Sequence, residues 1–147
     1  MKKFLLLLSG LLLIGVITST AQMDPVVDSR VKDSFKKEFP EAQSVKWLDM
    51  QDYNRADFVT NDYRLQAFFS KQGDLIETRR DLSYNQLPLV VMKELEKNFP
   101  GAEFSEMEEV SNNTGTKYIL RVQTEKRKYK VVATPDGTIS ITERMKK

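Results

Sequence analysis

VKDSFKKEFPEA (31–42) is the stretch on which the fold turns, because VMKELEKNFPGA (91–102) answers it at an offset of 60 residues. Val31, Phe35, Phe39-Pro40 and Ala42 recur as Val91, Leu95, Phe99-Pro100 and Ala102. Spacing of every fourth residue draws a narrow apolar stripe on one helix face. Val27 extends the first stripe backwards, and Met92 widens the second. Pro40 and Pro100 stop each helix at or before the preceding phenylalanine. Asp24 with Pro25 reads as the start of the first helix, and Pro88 marks the start of the second.

Short alternating segments follow each helix. Tyr63, Leu65, Ala67 and Phe69 face one way, and Arg64, Gln66, Phe68 and Ser70 the other. Tyr118, Leu120 and Val122 alternate with Lys117, Ile119, Arg121 and Gln123, and Tyr129, Val131 and Ala133 with Lys128, Lys130 and Val132. Asn61-Asp62 and Pro135-Asp136-Gly137 are turn sequences that join such strands as hairpins. The fold class expected is α+β: two tandem repeats of one helix plus about four antiparallel strands. They form a single two-layer domain, with the helices on one face of the sheet. The repeats run approximately over 24–82 and 84–147.

Residues 1–21 are set apart from that domain. Met1-Lys2-Lys3 is a positive head, Phe4–Ile17 is almost wholly apolar, and Ser19 and Ala21 supply the small residues of a cleavage site. A cleavable signal peptide ending after Ala21 is therefore expected, with export to the periplasm. The apolar run is short for a membrane span, which needs about 20 residues. No cysteine follows it to carry a lipid.

The remaining domain, 22–147, carries neither histidine nor cysteine. Of the 23 basic residues Lys2 and Lys3 fall in the leader, which leaves 21 against 21 acids and no net charge. Global attraction to nucleic acid or to an anionic membrane is not indicated. Histidine bases, thiol nucleophiles and the commonest zinc ligands are absent, so no catalytic residue, cofactor or metal is assigned. Carboxylate clusters at Glu106, Glu108 and Glu109 and at Asp49 and Asp52 leave a carboxylate-dependent hydrolase as a minor alternative. Neither cluster has the spacing of a calcium loop. Asn112-Asn113-Thr114 matches a glycosylation acceptor but reads as an ordinary loop between strands. In Lys126–Lys130, Tyr129 turns inward between outward lysines, so it cannot stack on a base beside them.

The leader, the paired helix-Phe-Pro-x-Ala elements and Val45-Lys46-Trp47 resemble PepSY-like periplasmic proteins, which are related in fold to the secreted β-lactamase-inhibitor protein. That resemblance implies a tandem helix-plus-sheet fold and a non-enzymatic binding or inhibitory role on an open sheet face. It supplies no site residues. The candidates come from alternation alone, which collects Arg55, Arg64, Phe68, Ile119, Arg121, Lys128 and Lys130 on the face opposite the helices. Apolar residues among arginines and lysines have the composition of a recognition surface for a protein or peptide partner. Phe68 packed under neighbouring aliphatic stems is the plainer reading of the same residues. Trp47, the one tryptophan, reads as core. A small-molecule carrier with a pocket between helices and sheet, lined by Tyr63, Phe69 or Tyr118, is the alternative function.

Overall fold

The computed structural model describes residues 26–146. The expected signal peptide and its expected cleavage site, together with Asp24, Pro25 and Lys147, lie outside them. In order, the elements are α1 (Ser29–Glu38), β1 (Gln43–Met50), β2 (Tyr53–Thr60), β3 (Tyr63–Ser70) and β4 (Leu75–Leu82). A one-turn 3-10 helix (Tyr84–Gln86) leads into α2 (Leu89–Asn98), then β5 (Glu103–Asn112), β6 (Gly115–Gln123), β7 (Arg127–Ala133) and β8 (Ile139–Lys146).

The expected architecture of two tandem helix-plus-four-strand repeats is corrected. The eight strands form one continuous antiparallel sheet in sequence order, β1 to β8, with two helices. Strand β4 pairs with β5 across the supposed boundary, from Glu77 opposite Asn112 to Leu82 opposite Met107. A ladder between strands separated by a whole helix leaves no mark in either strand's own alternation, so local reading misplaced the unit of architecture. A sheet carrying helices on one face does stand.

Register shows that face. Leu65, Arg80, Glu109, Tyr118 and Ala133 stand side by side across five strands and point toward the helices. Under α1, Val31, Phe35, Ala56, Phe58, Ala67 and Phe69 form one buried cluster. Under α2, Val91, Leu95, Leu120, Val122, Val131 and Ala133 belong to a second, separate one.

Helix α1 starts later than expected, at Ser29. The Asp28 carboxylate accepts from the Arg30 backbone N–H at 2.9 Å and is the N-cap, in place of the Asp24 expected from sequence. Turn glycines seat the helices. Gly73 has φ +101° and would place a Cβ 3.1 Å from the Arg30 carbonyl oxygen, while Gly137, at φ +90°, would place one 2.9 Å from Val90. Only glycine allows both that backbone and that approach.

Two exposed carboxylates bind their own loops. The Asp28 carboxyl lies below the usual aspartate range because the Arg30 side chain, and then its backbone N–H, hydrogen-bond to it. Asp136 is lowered by the Thr134 hydroxyl first and by the Thr138 N–H next. A depressed folded value contributes stability that is present above the unfolded value, about 3.9, and is lost as pH falls through the folded value. An Asp28→Ala/Asp136→Ala variant is therefore expected to melt below the wild type at pH 7. The gap should narrow once both forms are taken below about pH 4, and a gap that persists unchanged in acid contradicts the linkage.

Candidate functional site

The second sheet face carries no helix among the described residues. Row by row across the strands it shows Leu48, Arg55, Phe68, Glu77 and Asn112, then Lys46, Asp57, Gln66, Arg79, Val110 and Lys117. The next rows hold Asp81, Glu108, Ile119 and Val132, and Ser105, Arg121, Lys130 and Glu143. Arg64 stands opposite Val59, and Lys128 opposite Gln123. All seven candidate residues therefore stand on this face, in two groups. Arg55 is directly opposite Phe68, and Arg121 directly opposite Lys130. Strands β4 and β5 lie between the groups, a separation of about 14 Å from β3 to β6 at 4.8 Å per strand.

Their environments differ. Arg55 grips Asp57, with Nε 2.8 Å and Nη2 3.0 Å from its oxygens. Arg121 is paired with Glu106 and reaches the Met145 sulfur at 3.8 Å. Phe68 is not the exposed aromatic that an open face suggested: it is only 9% exposed. Tyr53 lies 5.7 Å away and the Arg79 guanidinium sits 4.9 Å above its ring. Long polar side chains cover an isolated ring more cheaply than leaving it wet. Ile119 is half-buried. Arg64, Lys128 and Lys130 are exposed and take part in no ion pair among the described residues.

Sequence reasoning left three residues off this face: Arg79, Lys46, and Glu106, which it named only as one of an acid cluster. Arg79 is central, with Nη2 2.5 Å from Glu77 and Nη1 3.9 Å from Glu108. Lys46 is exposed and lines, with Arg64 and Arg79, a shallow depression of about 480 Å³. Glu106 and Lys130 line a second one of about 460 Å³, to which Arg79, Asp81 and Glu108 also contribute. Glu106 has φ +49° where β5 bulges against β6, and Ser44 has φ +53° at the bulge of β1. Non-glycine residues in that conformation carry strain, and bulges re-aim side chains. Both Ser44 and Glu106 are turned into the depressions of this face.

The carboxylate clusters are divided: Glu106 and Glu108 share one depression of the open face with Asp81, and Glu106 is tied to Arg121. Glu108 and Glu109 alternate to opposite faces, Glu109 pairing with Arg80 at 3.1 Å on the helix side. Asp49 is held by Lys71. Among the described residues no group of three or more acids could hold a metal ion, and no helix is long and apolar enough to cross a membrane.

On the helix side, Trp47 packs at the edge of the first cluster, 5.3 Å from Phe35 and 6.3 Å from Phe69. Phe69 is fully enclosed and Tyr118 is 7% exposed, and neither lines the depressions of about 480, 460 and 330 Å³, whereas Tyr63 is 44% exposed and lines the smallest. Burial pushes the Tyr118 phenol up, with Glu109 adding and Arg80 opposing. Tyr129 turns in against Phe99 at 5.5 Å. In the β5–β6 turn the Asn112 side chain accepts from the Thr114 N–H and hydroxyl at 2.9 and 2.7 Å, an ordinary turn motif.

No protein-family model matches this chain, and no curated protein does. Solved structures do. A BLIP-like protein from Bacteroides fragilis superposes with a TM-score of 0.71 at 19% identity, covering 86% of this chain and 89% of that one. A DUF2874 family protein from Bacteroides ovatus gives 0.71 at 22% identity, over 83% and 89% of the two chains. A candidate periplasmic protein from Bacteroides eggerthii gives 0.69 at 19%, over 83% and 90%. None of these three likenesses singles out the PepSY-like proteins. What they show of this chain is its fold, a BLIP-like eight-stranded sheet with two helices on one face.

Proposed function

We propose that this chain is an exported, non-catalytic binding module of the periplasm that docks a protein or peptide partner on the helix-free sheet face. One observation carries the reading: that face has cations with no ion pair among the described residues on both flanks, Lys46 and Arg64 on one side and Lys128 and Lys130 on the other. The carboxylates Asp81, Glu106 and Glu108 lie between them. Exposed cations without internal partners are free to meet acidic groups across an interface, where they set specificity and association rate. The fold shared with a BLIP-like protein supports an inhibitor-like mode of docking. The absence of histidine and cysteine from the sequence favours binding over chemistry.

Charge reversal tests it. An Arg64→Glu/Lys130→Glu variant changes only exposed side chains, so its stability should stay within about 0.5 kcal/mol of the wild type. Capture from a periplasmic extract should retain a partner on the wild type and lose it on this variant. With the partner purified, affinity is expected to fall at least about tenfold and the wild-type complex to weaken with salt. If both forms retain the same proteins, the face does not dock them.

A further inference from the structure

The two helices do not span the sheet. Eight strands at about 4.8 Å spacing make a face roughly 34 Å wide, and two helices about 10 Å across cover some 20 Å of it. Helix α1 sits over β2 and β3, and α2 over β6 and β7. The strip between them, on β4 and β5, is polar at Thr78 and Arg80, and its far end, Leu82 opposite Met107, joins the second cluster. Thr78 pairs with Ser111 and Arg80 with Glu109, all directed to the helix side. This row keeps the two apolar clusters apart.

A depression of about 330 Å³ opens in that valley, lined by Asn61, Tyr63, Thr78, Arg80 and Glu109 among others. Its parts are fixed relative to one another. Arg80 Nη2 lies 3.1 Å from Glu109 Oε2, and the Arg80 guanidinium sits 5.1 Å from the Tyr63 ring centroid. With that cation over it, the tyrosine still has 44% of its surface in solvent.

This chemistry selects a ligand class. The Arg80–Glu109 pair is neutral as a unit, so neither an anion nor a cation finds net attraction there. Apolar wall is limited to the Tyr63 ring and Leu65, too little to hold a hydrocarbon. What remains is an aromatic plate beside a planar guanidinium, a carboxylate, an amide and a hydroxyl. That set pairs a C–H surface with closely spaced donors and acceptors. We propose that the valley between the helices binds a neutral saccharide. The C–H face of one sugar ring rests on the part of Tyr63 that Arg80 leaves open, and hydroxyls at the ring's edge are shared by Arg80, Glu109, Thr78 and Asn61. Because the array is already locked by its own ion pair, little side-chain ordering opposes binding.

The test is a titration of the exported chain, labelled with nitrogen-15, against maltotriose, cellotriose and chitotriose, with citrate and hexanoate as charged and apolar probes. At least one trisaccharide should shift the amides of Asn61, Tyr63, Thr78, Arg80 and Glu109 saturably, while citrate and hexanoate leave them in place. Tyr63→Ala should weaken that binding about tenfold, the worth of one aromatic contact, and Tyr63→Phe should retain it. Arg64→Glu/Lys130→Glu, on the other face, should bind the sugar as the wild type does, which separates this site from the partner-docking reading. Silence from all three trisaccharides overturns the proposal. So does a response to citrate or hexanoate instead, or equal sugar affinity for Tyr63→Ala.

Discussion

Replacing Phe35 by alanine is expected to remove about 3–5 kcal/mol of stability, the range for a buried phenylalanine whose cavity cannot collapse. The ring is 5% exposed and is the hub of the first cluster. Phe58 stands at 5.0 Å and 89°, Trp47 at 5.3 Å and 71°, Phe39 at 5.4 Å, and Phe69 at 6.2 Å. Edge-to-face contacts add to the area term, and aromatic neighbours anchored on β1, β2, β3 and the end of α1 cannot all move in. Domains of this size hold about 5–15 kcal/mol in total, so the variant should unfold in much less urea. Trp47 is the sole tryptophan and touches the deleted ring, which makes its fluorescence the natural probe. A loss under about 1 kcal/mol would mean that α1 is not held to the sheet by this residue.

That cluster was legible in advance because Val31, Phe35 and Phe39 repeat at helical spacing and Ala67 and Phe69 alternate on a strand. The faces of β3, β6 and β7 followed in the same way, since each has one apolar and one polar side. β4 resisted: Glu77, Thr78, Arg79 and Arg80 are polar in succession. One side of it meets the open face and the other the polar valley, so no alternation announces it. Arg79 was missed for that reason. Glu106, named only in an acid cluster, was left off the open face for another, because the bulge between Ser105 and Glu108 inserts an extra residue that period-two reading cannot anticipate. The tandem-repeat architecture failed at the β4–β5 ladder, a pairing between distant segments that neither segment declares alone. Asp28 displaced Asp24 as the helix cap because both acids precede the apolar stripe. The choice between them rests on which carboxylate reaches the first free backbone N–H.

Phe68 is where the open face and the core were confused, and its truncation distinguishes them. A ring exposed for docking would tolerate alanine with little change in stability. The observed ring is covered by Tyr53 and by Arg79, and is opposed by Arg55 and Glu77 on the neighbouring strands. Phe68→Ala is therefore expected to cost about 3 kcal/mol, at the low end for buried phenylalanine because its cover is flexible side chain. Arg79→Ala should cost less. Its contact with the ring is worth about 0.5–1 kcal/mol where solvent still reaches the cation, and its ion pairs are partly exposed and add little. In the double variant the two losses should fall short of additivity by about that contact energy, since each single change already removes it. Urea unfolding of the four proteins measures the cycle. Strict additivity would mean that the guanidinium and the ring do not interact, and a neutral Phe68→Ala would return the ring to the docking surface. If the cycle closes as expected, Phe68 and Arg79 form the stiff floor of the open face. Partner recognition then falls to the exposed cations around it, Lys46, Arg64, Lys128 and Lys130.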